Sequence, residues 1–166
     1  MIVEGRAVVI ADDDVDTDVM YPGAYLNIED PERMKPYLFE GYDPSLREQL
    51  GGDTVIVTGA NFGIGSSREH VPQAMKAWGV HCVLGKSFAR IFHRNCVNLG
   101  LPIVACAEAA EAATPGSHVR VDTDTGEVEV EGCTFQASAM HPFTLAMVRE
   151  GGLVPWARRR VAGEAR

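Results

Sequence analysis

The 166 residues are enough for one domain with a real hydrophobic core and too few for two comfortable ones. The composition is that of an ordinary globular chain, 46% apolar and 23% charged, and a net charge of −8 with no offsetting basic stripe excludes a nucleic-acid surface. No run nears the ~18–20 apolar residues of a membrane span. "MIVEGRAVVI" lacks the layout of a signal peptide, and Cys82, Cys96, Cys106 and Cys133 form no CxxC pair and no close histidine spacing, so the expectation is a cytoplasmic protein with reduced thiols and no metal site of its own.

In chain order, the apolar run Ala7 to Ala11 reads as a buried strand. It enters "DDDVDTD", five acidic residues within seven positions, and then Pro22-Gly23, which together read as a long functional loop. Pro31, Pro36 and Pro44 allow only short helices and turns in the next stretch, which Leu38, Phe39 and Tyr42 pin to the body. "DTVIVTG" (53–59) is a β-branched strand of the kind buried on both faces and "VHCVLG" (80–85) is another strand, with a helix through Trp78 between them. Phe88, Ile91, Phe92, Cys96 and Leu99 recur at helical spacing up to a Gly100 cap, and "LPIVAC" (101–106) is a further strand.

That alternation predicts parallel strands joined by crossover helices. Beyond it, "HVRVDTDTGEVEVEGCTFQA" alternates apolar and polar residues around Asp124-Thr125-Gly126, a hairpin signal, and "HPFTLAMVREGGL" supplies one more short helix. The expected architecture is a single α/β domain over residues 1–166 with a parallel core and an antiparallel annex. Its last ~10 residues, holding Arg158, Arg159 and Arg160, read as a solvated tail.

"GANFGIGSSREHVPQAM" (59–75) crowds three glycines, two serines and an arginine onto the mouth of a helix. Ser66 and Glu69 fit a capping box. Against that, Pro72 removes an intrahelical donor, which moves the helix start toward His70 and leaves Ser66 to Arg68 in a tight turn with hydroxyl and N–H groups unspent. Such a turn binds a carboxylate or phosphate, and Arg68 would add a bidentate clamp. It matches neither a P-loop, nor GxGxxG, nor the GxSxG elbow.

Followed by "GKSFARIFHRNCVNLGLPI" and preceded by "DDDVDTDVMYPGAYL", this stretch resembles the isopropylmalate dehydratase and homoaconitase small subunits of the aconitase superfamily, over residues 5 to 155. The resemblance implies a swivelling β/β/α domain and a separate large subunit, in a heterodimer or heterotetramer, that carries a [4Fe–4S] cluster. The implied reaction is dehydration of a 2-hydroxy dicarboxylic acid and rehydration of the alkene. By residue, it implies Ser66 as the base that takes the proton alpha to a carboxylate, Arg68 as the carboxylate and oxyanion arginine, and Asp18 as an acid that organises the site. It sets Ser67, Thr17 and Tyr25 beside the substrate. A serine hydroxyl is a very poor base near neutral pH, so this role demands local positive potential. His70 reads more as a cap or packed ring than as a base, and His93 and His141 as structural. Arg90, Arg94 and Asn95 either tie the second helix to the loop or touch substrate.

In the resemblance, the segment after "PGAYL" selects the acid, which falls here on Asn27 and Ile28. No arginine stands there to meet a third carboxylate, Glu29 and Asp30 would repel one, and Ile28 suits an isopropyl branch. The expected activity is thus 3-isopropylmalate dehydratase, in leucine biosynthesis. A dimethylmalate or homoaconitase-type enzyme and a non-catalytic anion-binding regulatory subunit stand as alternatives, the last disfavoured because Ser66 and Arg68 are both present.

Overall fold

A computed structural model describes residues 1–163. One seven-stranded sheet organises them, with strands β1 (Ile2–Ile10), β2 (Thr54–Thr58), β3 (Val80–Gly85), β4 (Ile103–Ala105), β5 (His118–Asp122), β6 (Glu127–Val130) and β7 (Cys133–Gln136) in the order β4-β3-β2-β1-β5-β6-β7. Strands β1 to β4 are parallel neighbours, and β5 joins β1 antiparallel to begin the β5–β6–β7 meander. Helices α1 (Thr17–Met20) and α2 (Pro31–Met34) lie in the β1–β2 connection. Helices α3 (His70–Ala77) and α4 (Arg90–Asn98) make the β2–β3 and β3–β4 crossovers, as the alternating pattern predicts.

The central strands are buried on both faces, and period-two alternation divides their side chains between two cores. Ile56 of β2 and Val83 of β3 point into a core shared with Met75 of α3, Phe92 and Cys96 of α4, and Met147 and Val148 of α6 (Pro142–Arg149). Val55, Val57 and Leu84 point the other way, onto Ala109 and Ala110 of α5 (Ala107–Ala112) and onto Val119, Val121, Val128 and Val130 of the meander. The antiparallel strands therefore curl over the second face, giving the expected β/β/α layering.

Three elements differ from the sequence expectation. Strand β1 begins five residues earlier than the apolar run suggests, because Ile2 to Arg6 pair with β5 while interrupted by Glu4 and Gly5. Alanine-rich α5 follows β4 with no side-chain cap to announce it. The stretch read as a tail forms α7 (Leu153–Val161): Pro155 lies in its first turn, where a backbone N–H is unpaired in any case. Trp156 packs edge-on to Phe143 with ring centroids 5.2 Å apart, while Arg158, Arg159 and Arg160 stay exposed. The remainder of that expected tail, residues 164–166, lies outside the described residues. The buried Leu38 and Phe39 anchor the proline-rich segment as expected.

Candidate active site

Parallel pairing of β1 with β2 brings the loops leaving their C-terminal ends side by side. The acid-rich loop runs along the glycine turn: Asp14 N–H donates to Ala60 O (2.9 Å), Gly63 N–H to Val15 O (2.9 Å) and Thr17 N–H to Ile64 O (2.8 Å). Two glycines make this approach possible. Gly63 has φ +83°, and a Cβ there would overlap the Phe92 ring; Gly65 has φ +98°, and a Cβ would overlap the Asp16 carboxylate.

The acids of the loop divide their labour. Asp13 Oδ1 accepts from Ala60 N–H (2.6 Å), Asp14 Oδ1 from the Asn61 amide (2.7 Å) and Asp12 Oδ2 from the Tyr42 hydroxyl (2.6 Å). The Tyr42 hydroxyl is pushed up to about 12, first by burial and then by the bond to Asp12, so it stays a donor. Asp16 caps the one-turn helix α1 (Thr17–Met20) by accepting from Asp18 N–H (2.7 Å). Asp18 is thereby aimed at the turn.

Asp18 Oδ1 accepts from the Ser66 hydroxyl (2.8 Å), and Arg68 Nη1 lies 3.1 Å from the same oxygen. Buried Thr17 donates its hydroxyl to Ser66 O (3.1 Å), with its oxygen 3.5 Å from Ser66 Oγ. Arg68, with a side chain 17% exposed, also donates from Nη1 to Tyr21 O (2.9 Å), whereas Asp18 is 50% exposed. Helix α3 starts at His70 with Glu69 as an N-cap that makes no side-chain bond, so the capping box does not form. The serine hydroxyl is left free for Asp18.

Of the residues singled out in the sequence, Ser66, Arg68, Asp18 and Thr17 thus converge. Ser67 is exposed beside them, and its carbonyl accepts from Asn95 Nδ2 (3.1 Å), which ties α4 to the loop. Arg90 and Arg94 are exposed and, with Ile91 and Gly63 to Gly65, line a cavity of 530 Å³. The Tyr25 ring turns away to stack on Tyr37 (centroids 4.0 Å). Asn27 is exposed, and half-buried Ile28 packs against the main core. His141 caps α6, accepting from Phe143 N–H (3.2 Å), as a structural histidine would.

The sequence reading overlooked Tyr21. This fully buried residue joins Arg68 through its carbonyl, donates its hydroxyl to Tyr25 O (3.2 Å), and stacks on His70 (centroids 5.1 Å, 27°). Its place directly before Pro22-Gly23 is a signal of an anchor, but two of its partners, Arg68 and His70, lie 47 and 49 positions away in the chain.

Comparison with known proteins bears on this geometry. Residues 42–108 match the aconitase C-terminal domain family. The 3-isopropylmalate dehydratase small subunit of Methanosarcina acetivorans is 42% identical over 96% of this chain and 98% of its own length. The chain belongs to the 3-isopropylmalate dehydratase small-subunit family. Another member, small subunit 1 of Methanopyrus kandleri, is 43% identical over 95% of this chain and 94% of its own. The crystal structure of 3-isopropylmalate dehydratase from Methanocaldococcus jannaschii superposes with a TM-score of 0.90 at 35% identity, covering 99% of this chain and 98% of that one. Membership of this small-subunit family makes the chain part of a hydro-lyase, and the fold is the aconitase C-terminal-domain-like one that the resemblance implies.

Proposed function

We propose that this chain acts, over its whole length as one domain, as the small subunit of a cytoplasmic two-subunit dehydratase that isomerises 3-isopropylmalate. The observation that carries this reading is the meeting of the Ser66 hydroxyl (2.8 Å) and the Arg68 guanidinium (3.1 Å) on one oxygen of Asp18. Ser66 is the base, Arg68 the carboxylate clamp, and Asp18 the group that receives the Ser66 proton.

The steps assigned to this chain follow from those contacts. Asp18 is the adjacent acceptor for the Ser66 proton and, being half exposed, passes it to water. With Asp18 half exposed, an incoming substrate carboxylate can take its place on Arg68, exchanging one carboxylate partner of the guanidinium for another. Freed from Asp18, Arg68 supplies the positive potential that holds Ser66 as alkoxide, with the carbonyl of Tyr21 keeping its guanidinium in place. The alkoxide then takes the proton alpha to the clamped carboxylate; the C–H electron pair forms the alkene as the hydroxyl of the neighbouring carbon leaves as water, taking up the proton released through Asp18. Rehydration runs these transfers in reverse with the hydroxyl on the other carbon.

Among the described residues, no three of His, Cys, Asp or Glu stand together to hold a metal ion, and Cys82 and Cys96 are buried thiols raised by desolvation. These residues do not fit a cluster, and the [4Fe–4S] Lewis acid that the family resemblance implies belongs, in this reading, to the large subunit. The substrate-selecting role of Asn27 and Ile28 belongs to the same reading, as do Thr17, Ser67 and Tyr25 as neighbours of the substrate.

The test is anaerobic co-assembly with a large subunit of the family and measurement of alkene absorbance on a panel of 2-hydroxy diacids. The expected result is turnover of 3-isopropylmalate in preference to 2,3-dimethylmalate and homocitrate-type acids. A complex that turns over another acid of the panel in preference overturns the substrate, and one that assembles without turning over any of them overturns the catalytic reading.

A further inference from the structure

The segment that follows the 3-10 turn Gly23–Tyr25 has no regular structure from Leu26 to Asp30, yet it is fastened to the Ser66–Arg68 turn from two sides. On one side, the Tyr21 hydroxyl donates to Tyr25 O, which also accepts from Ile28 N–H (3.1 Å), and the Tyr21 carbonyl holds Arg68. On the other, His70 Nε2 lies 3.2 Å from Leu26 O. A carbonyl oxygen only accepts, so this contact needs the proton on Nε2. The His70 ring stacks on Tyr21, and its Nδ1 is buried with no hydrogen-bond partner among the described residues. His70 stands two residues from Arg68 at the start of α3, and Leu26 immediately precedes Asn27.

We propose that His70 is a positioning residue that fixes segment 25–28 against the base turn and thereby sets the fit of the substrate's variable group. The second half of this proposal rests on the functional reading above. The first half is a statement about the chain alone. His70 does not reach Ser66; it acts through Leu26 O and Tyr21, joining the residues that select the acid to the helix whose mouth carries the base and clamp.

Two substitutions separate the contacts. His70→Phe keeps the stack on Tyr21 and removes the donor to Leu26 O. His70→Gln carries its amide nitrogen near the place of Nε2 and restores that donor. His70→Asn, whose shorter amide does not reach, serves as a second donor-lacking variant should phenylalanine fail to fold.

Hydrogen exchange of the 21–30 segment in the isolated chain should quicken about tenfold in the Phe and Asn variants, the upper range of one net hydrogen bond, and return toward wild type in Gln, while α3 exchanges unchanged. In the assembled enzyme, KM for 3-isopropylmalate should rise about tenfold with a smaller change in kcat, and its preference over 2,3-dimethylmalate should fall, with Gln again restoring both. Unchanged exchange in the donor-lacking variants overturns the positioning role. Faster exchange with unaltered KM and preference overturns the link to substrate, and a fall confined to kcat would make His70 part of the chemistry instead. A wild-type complex that turns over neither acid overturns the functional reading, and the exchange result still decides the positioning role.

Discussion

The two loops that meet at the candidate site are held by different means. The 59–69 turn is shaped by its backbone: Gly63 and Gly65 occupy the left-handed region and press against Phe92 and Asp16, where no larger residue fits. The 12–28 loop is shaped by side chains: Asp12, Asp13 and Asp14 are each spent on a hydrogen bond that fastens the loop to its surroundings, and Asp16 on capping α1 within it. Asp18 alone of these five acids meets Ser66 and Arg68. A dense run of carboxylates is thus mostly scaffold, and chemistry sits where scaffold and turn touch.

Substitutions sharpen that contrast. Arg68→Ala removes the clamp from an intact turn and should lower kcat/KM of the assembled enzyme on the order of 100- to 1000-fold, with Arg68→Lys recovering part of the loss. Gly63→Ala attacks the backbone-built loop. A side chain at positive φ overlapping the Phe92 ring should destabilise the chain by about 2–5 kcal/mol, read as a lowered urea midpoint. Asp13→Ala attacks the side-chain-built loop through one bond, and should cost about 1–2 kcal/mol in the same titration. A larger loss from Asp13→Ala than from Gly63→Ala would reverse the comparison.

Legibility in the sequence follows the same division. The glycine turn, the displaced helix start forced by Pro72, and the doubly buried strand β2 were readable because each is a local consequence of residue type. The family resemblance implies Asp18 and Ser66 as residues of one site, but their pairing across 48 positions carries no local signal and is visible only in the structure. The stack of Tyr21 on His70 was missed for the same reason. Helix α7 was missed because Gly151, Gly152 and Pro155 look like punctuation, although a proline in a first turn is permissive. The early half of β1 was hidden by Glu4, Gly5 and Arg6, which a strand tolerates when an antiparallel neighbour pairs with it.

The central claim is that Ser66 is a base and not a helix cap. Ser66→Ala in the assembled enzyme, followed by steady-state turnover of 3-isopropylmalate beside thermal melting of the chain, tests it most directly. The account predicts a rate lowered ~100-fold or more, with the melting point changed by no more than the loss of the one part-exposed hydrogen bond to Asp18, because Ser66 caps no helix here. A rate near wild type, with the chain destabilised by the about 0.5–2 kcal/mol of a lost N-cap, would contradict it.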